Sequence, residues 1–218
     1  MIGGTGAEGR GLVTRWALAG KEIIIGSRRR KKAERIASEI SRRIKRKVRG
    51  ATNLEAAREA EVVVLSIPFE VVGRILDQIK PALTEGKILV SVIAPLERKK
   101  EQFTFKIPKA GSAAEEVARQ VPRNVPIVSA FQTVSAKQLQ NIREPLSCDI
   151  LVCGNDTRAK KVVIKLMKEI PGARPVDFGP LRNSRLVEPV AALLAELTRR
   201  YKVPGVGLRF EGVWQKTN

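Results

Sequence analysis

The chain begins Met-Ile-Gly-Gly-Thr-Gly-Ala-Glu-Gly, which sets Gly4, Gly6 and Gly9 in the spacing G-x-G-x-x-G, and the β-branched run Ile23-Ile24-Ile25 follows after a helix-length interval. A glycine turn, a helix and a strand in that order open a doubly wound parallel sheet of the Rossmann type. In such a turn Gly4 allows the tight bend, Gly6 lets backbone approach a pyrophosphate, and Gly9 lets the helix pack closely on the sheet. The start of the helix offers free N–H donors to phosphate oxygens. The strand then ends Gly26-Ser27-Arg28-Arg29-Arg30. An NAD site normally has Asp or Glu at this point to bind the ribose 2′-hydroxyl; a hydroxyl and an arginine instead hold a 2′-phosphate that a carboxylate would repel. NADP is therefore the expected dinucleotide.

Glycine-rich turns are common, so the order of elements carries the inference. Residues 11–19 read as a short helix stopped by Gly20, and residues 22–26 have the length and branching of a strand. The first strand is the exception. Only Met1 and Ile2 precede the glycines, where the fold needs about five strand residues at the centre of the sheet. This strand is expected to be largely absent from the chain, as a late start or a shortened chain would make it.

Alternating units continue beyond it. A charged helix over 31–43 turns Ala33, Ile36, Ala37 and Ile40 inward, and a strand at 48–51 leads into Thr52-Asn53-Leu54-Glu55, a capping box for a helix to residue 60. Strands are expected at 62–67, 88–92, 127–130, 149–153 and 175–178, and helices at 70–79, 112–120, 157–169 and 181–200. No repeat or low-complexity linker divides the 218 residues. Residues 1–130 are expected to form the dinucleotide-binding part and 131–218 a C-terminal α/β extension, within one domain or as two.

Composition narrows the partners. The longest apolar runs, Val62-Val63-Val64-Leu65 and Ile88 to Ile93, fall far below the roughly 20 residues that cross a bilayer, so they read as buried parallel strands and a cytoplasmic chain with no membrane partner is expected. Cys148 and Cys153 are five apart and no histidine exists to complete a metal site, so no metal is expected. The net charge of +19 is concentrated between Arg28 and Arg49, where only Glu34 and Glu39 are acidic. Nonspecific attraction of nucleic acid would follow at low salt, but aromatic residues make up only 4% of the chain, which leaves few stacking platforms. The basic segment reads as a solvated helix face that also draws in anionic cofactors.

Ligands on wound sheets bind where loops leave the carboxyl ends of strands. Four such loops are expected on one rim: Ser66-Ile67-Pro68-Phe69, Ile93-Ala94-Pro95-Leu96, Phe131-Gln132-Thr133-Val134-Ser135-Ala136 and Gly179-Pro180-Leu181-Arg182-Asn183-Ser184-Arg185.

With these segments in view the chain resembles the archaeal and actinobacterial NADP oxidoreductases that use coenzyme F420, a 5-deazaflavin. Gly3-Gly4-Thr5-Gly6, Gly26-Ser27-Arg28-Arg29, Ser66-Ile67-Pro68, Ser129-Ala130, Val152-Cys153-Gly154 and the run from Gly179 to Glu188 carry the likeness. The resemblance implies that Thr5, Gly6, Ala7 and Glu8 line the pyrophosphate and that Ser27, Arg28 and Lys32 hold the 2′-phosphate. Ile67, Ala94 and Ala136 would border the nicotinamide; Gln132, Thr133, Val134, Arg185 and Val206 would border the deazaflavin. The implied reaction is hydride transfer between nicotinamide C4 and deazaflavin C5, with Val134 pressing on the rings, Gln132 making polar contacts and Arg185 stabilising negative charge. Gln132, Pro189 and Ala191 stand where family members carry histidine, serine and threonine. A ferric or imine reductase on the same scaffold, or a noncatalytic NADPH or nucleic-acid-binding protein, is the alternative. The resemblance also implies a homodimer through the C-terminal region, where Leu186, Val187, Val190, Leu193, Leu194 and Leu197 form an apolar stripe that core packing would explain equally well. No role is expected for the tail from Val213.

Overall fold

The computed structural model describes residues 1–100 and 102–213; residues 214–218 of the tail lie outside the described residues. Helix α1 (Ala7–Leu18) leads into β1 (Ile23–Ser27), α2 (Arg30–Ile44) and β2 (Val48–Thr52). Then come α3 (Asn53–Glu59), β3 (Val62–Leu65), α4 (Val72–Ile79), β4 (Ile88–Ser91) and a hairpin of β5 (Leu96–Lys99) and β6 (Gln102–Phe105). Helix α5 (Ala113–Gln120), β7 (Ile127–Ser129), α6 (Ala136–Gln140), β8 (Cys148–Gly154), α7 (Thr157–Lys168) and β9 (Ala173–Asp177) follow, and the short α8 (Ser184–Val187) precedes α9 (Val190–Tyr201).

The N-terminal half is wound as its periodicity predicts. Strand β1 pairs in parallel with β2, and β3, β4 and β7 pair in parallel with one another. Ile2 joins the two sets, bridging Gly26 on one side and Leu65 on the other. Its N–H donates to the Val64 carbonyl at 2.8 Å, its own carbonyl accepts from Ser66 N at 2.9 Å, and the Met1 carbonyl accepts from Gly26 N at 2.8 Å. The central strand is thus reduced to a single bridging residue. A cavity of about 780 Å³, with Trp16, Ile24, Val62 and Val64 among its walls, lies beside Met1.

Alternation along the strands splits the core into two layers. Val64, Val90 and Val128 pack with α1, α2 and α7 through Leu12, Ile36, Ile40, Val163 and Met167; Leu65, Leu89 and Ile127 pack with α3, α4 and α5 through Ala56, Ile75, Leu76 and Val117. All four inward residues expected on α2 are buried. Thr52 closes α3 with both halves of its capping box, the Glu55 N–H reaching Thr52 Oγ1 and the Thr52 N–H reaching Glu55 Oε2.

Three expectations are corrected. Strand β8 runs antiparallel to β7, with Val128 opposite Gly154 and Ser129 opposite Cys153, while β9 runs parallel to β8. The loop after β9 therefore leaves the opposite rim from the loops after β3, β4 and β7, and the four loops do not share one edge. The expected helix over 181–200 is a 3-10 turn at Leu181–Asn183 followed by α8 and α9, with Pro189 at the N-terminal boundary of α9, because proline has no N–H to continue the ladder. Helix α1 begins at Ala7, four residues before the expected start, since the glycine turn already delivers helical geometry there.

Candidate cofactor cavity

The glycine turn is tighter than its spacing alone requires. Gly3, rather than Gly4, takes the left-handed conformation (φ +83°), and a Cβ there would lie 1.9 Å from the Ser66 carbonyl oxygen. A Cβ on Gly9 would lie 2.7 Å from the Gly3 oxygen, so the third glycine permits the close approach expected of it. Gly6 is the N-cap of α1 and supplies no side-chain cap. The first N–H groups of the helix therefore remain available to an anion, which fits a dinucleotide pyrophosphate.

At the tip of β1, Ser27 is half-buried and Arg28 and Lys32 are exposed. Arg30, by contrast, is paired with Glu34 and Glu55. Neither Arg28 nor Lys32 has a carboxylate partner among the described residues, so both charges are available to a 2′-phosphate.

Between this turn and the C-terminal helices lies a cavity of about 550 Å³, within the range of roughly 300–1,000 Å³ typical of ligand sites. It brings together Gly6, Ala7, Glu8, Ile67, Ala94, Gln132, Val134, Ala136 and Val206. Val206 reaches the wall because the chain after α9 folds back: its N–H donates to Thr198 Oγ1 at 3.1 Å, and Gln138 Nε2 donates to the Gly205 carbonyl at 3.3 Å. Thr5, Ser27, Arg28 and Lys32 lie outside this wall.

Gln132 is locked in one orientation. Its amide nitrogen donates to the Ser91 carbonyl and to Ser129 Oγ, both at 2.9 Å. Because the Ser91 oxygen can only accept, the amide cannot be flipped without losing that bond. Gln132 Oε1 and the neighbouring Thr133 Oγ1 are buried with no hydrogen-bond partner. Two unmatched polar atoms on neighbouring residues of this wall suit a ring with a hydrogen-bonding edge, which fits a deazaflavin. Glu8 is half-buried; desolvation pushes its carboxyl up to about 8, against the hydrogen bond with Ser66 that pulls it down. Below that pH it is neutral beside the turn.

Arg185 is not in the wall. Its guanidinium donates to Glu115 at 2.7 and 2.8 Å and to the Ala110 carbonyl at 3.1 Å, because the segment after β9 climbs from the far rim along α5. The buried carboxylate of Glu188 lies on the same path, accepting from Ala113 N at 2.7 Å and Ala114 N at 3.0 Å at the start of α5. Cys148 and Cys153 are free and buried, and burial pushes both thiols up to about 11.

The sequence did not foretell the part played by Leu194, Thr198 and Arg199 of α9, or by Phe103 of the hairpin, which complete the cavity. The hairpin carries a signal in the apolar alternation of Phe103 and Phe105, but its turn at Lys100 (φ +53°) lacks the glycine or asparagine that marks such a turn.

Residues 1–95 match the family model described as NADP oxidoreductase, coenzyme F420-dependent. The chain is 42% identical over 218 residues to the F420-dependent NADP reductase of Methanocaldococcus jannaschii, with 96% of each covered. It is 37% identical over 215 residues to that of Methanothermobacter marburgensis, again with 96% of each covered. Its fold matches a solved Arthrobacter chain, provisionally assigned as an F420-dependent NADP reductase, with TM-score 0.82 and 23% identity over 96% of both chains. No helix among the described residues is long and apolar enough to cross a membrane. With this identity sustained along the length of both chains, the protein belongs to the family of coenzyme F420-dependent NADP oxidoreductases.

Proposed function

We propose that this protein transfers a hydride between NADP and coenzyme F420 in the 550 Å³ cavity between α1 and α9. The observation that carries this is the meeting, in one cavity, of a helix N-terminus built for a pyrophosphate with the unmatched polar pair of Gln132 and Thr133. When both cofactors are bound, nicotinamide C4 and deazaflavin C5 supply the hydride chemistry. The protein contributes proximity, orientation and hydrogen bonds, which need no histidine or metal.

Thr5, Gly6, Ala7 and Glu8 hold the pyrophosphate in this reading, and Ser27, Arg28 and Lys32 the 2′-phosphate. Ile67, Ala94 and Ala136 border the nicotinamide, and Gln132, Val134 and Val206 the deazaflavin. Arg185 serves from a distance, tying the segment before α9 to α5 through Glu115. Residues 1–130 form the NADP-binding part and 131–218 the extension that completes the deazaflavin side. A homodimer is supported by the outward apolar side chains Leu186, Leu193 and Tyr201, which are 66%, 54% and 68% exposed; sedimentation equilibrium at micromolar concentration checks it, and a monomer would overturn it. Two free cysteines are in keeping with a cytoplasmic location.

Mixing the protein with NADPH and oxidised F420 tests the function. Loss of the visible deazaflavin absorbance is expected. Silence there, alongside NADPH oxidation by iron or a flavin, would assign the cavity to another acceptor.

A further inference from the structure

Helix α1 serves two segments at once. Its N-terminus faces the cavity through Gly6, Ala7 and Glu8, and its flank packs on residues 131–144, which carry Gln132, Val134 and Ala136 into the same cavity. In the last turn of α1, Trp16 meets Phe131 edge to face, with ring centroids 5.6 Å apart, and Phe131 is held at φ +73°, an uncommon conformation for a bulky residue. In the middle the two backbones nearly touch: a Cβ on Gly11 would lie 2.5 Å from Leu139 Cβ. Near the cavity, Gln140 Nε2 donates to the Ala7 carbonyl at 2.7 Å.

Arg15 closes the back of this joint. It is 4% exposed, and its guanidinium meets no carboxylate among the described residues. Nε donates to the Leu139 carbonyl at 2.9 Å, and one Nη donates to the carbonyls of Gln138, Asn141 and Glu144 at 2.8, 2.8 and 3.0 Å. A planar guanidinium can gather carbonyls that diverge at a helix end; a lysine ammonium, a single point of charge, cannot reach them all.

We propose that Arg15 is a positioning residue for hydride transfer: it clamps the carbonyls of residues 138–144 to α1 and so fixes the acceptor-side segment relative to the helix end that takes the pyrophosphate. This rests on the function proposed above. Because the dinucleotide is anchored through its pyrophosphate at the start of α1 while the clamped segment carries Gln132 and Val134 into the cavity, the clamp bears on the separation across which the hydride moves, and misplacement of about 1 Å can cost roughly a hundredfold in rate.

Arg15→Met and Arg15→Lys test the clamp, and Gln140→Ala, which removes an exposed side chain, tests the same joint without touching the core. Three measurements are made on each folded variant: deuterium exchange of peptides spanning 131–144, calorimetric affinity for NADPH and for oxidised F420, and single-turnover hydride transfer. Faster exchange in 131–144, weaker F420 affinity and a transfer rate down about tenfold or more are expected, with NADPH affinity within about twofold of wild type. The effect should be largest for Arg15→Met and smallest for Gln140→Ala. Unchanged exchange and F420 affinity in the folded variants, or NADPH affinity falling in step with F420 affinity, would overturn the proposal. If neither Arg15 variant folds, Gln140→Ala decides by the same criteria. A wild-type protein inert toward F420 refutes the function instead, and the exchange measurement still reports on the clamp.

Discussion

Replacing Arg28 with alanine should lower the preference for NADPH over NADH by about tenfold. The structure sets the scale. Arg28 stands one residue beyond Ser27 at the end of β1, exposed and without a carboxylate partner among the described residues, so no ion pair has to break before it meets a phosphate. A hydrogen bond to a charged group is worth roughly tenfold to a hundredfold in affinity. Open water and the neighbouring Arg29, Lys31 and Lys32 place this one at the lower end, about tenfold. Removing Lys32 as well should bring the loss to about a hundredfold, less whatever coupling two neighbours show. Calorimetric titration of each nucleotide against both proteins at low and physiological salt reads the ratio directly, and the NADPH affinity of the wild type should fall with salt while that of NADH falls less. An NADPH-to-NADH ratio unchanged in Arg28→Ala would refute the assignment of the 2′-phosphate to the tip of β1.

Other groups titrate or break in predictable directions. Glu8, raised to about 8 by desolvation, is neutral at lower pH and ionised above it, beside the start of α1 proposed to take the pyrophosphate, so NADPH affinity should weaken as pH rises past about 8. In Glu8→Gln the affinity should be flat there; a wild-type slope retained by the variant would count against this. Glu188 is raised from 4.5 to about 7 by burial, so the folded state holds its proton where the unfolded state has lost it. The associated stability is present below the unfolded value and is lost as pH rises through about 7, by roughly 3 kcal/mol at most. Urea unfolding of Glu188→Gln between pH 5 and 8.5 should lack that decline, and an undiminished decline would place it on another group. Gln132→Leu removes the amide's bonds to Ser129 Oγ and to the Ser91 carbonyl, which still accepts from Ala130 N, and should destabilise by about 0.5–1.5 kcal/mol, read from the urea midpoint; an unchanged midpoint would refute a stabilising role for the amide.

The N-terminal half was legible because each of its signals is local. The capping box at Thr52, the inward stripe of α2 and the crowding of Gly9 are fixed by residues a few positions apart, and all stand as the spacing predicts. The C-terminal half was legible only in part: the 131–136 loop stands in the cavity wall as expected, but the rest of its geometry depends on long-range pairing. Nothing within residues 148–177 states that β8 reverses against β7, yet that reversal removes Arg185 from the cavity. The wall from α9 is likewise set by where the chain returns, and the role of Arg15 by carbonyls more than 120 residues away.

The reversal of β8 and β9 bears on how such a molecule can diversify. A strand pair added at the edge of the sheet with reversed direction ends at the opposite rim before the chain returns as α9, so the far side of the cavity is supplied by a later stretch of polypeptide. Changes in the length or character of that stretch need not disturb the ladder beneath the nucleotide turn. A lineage built this way can keep its nucleotide turn and exchange the molecule held against the far wall.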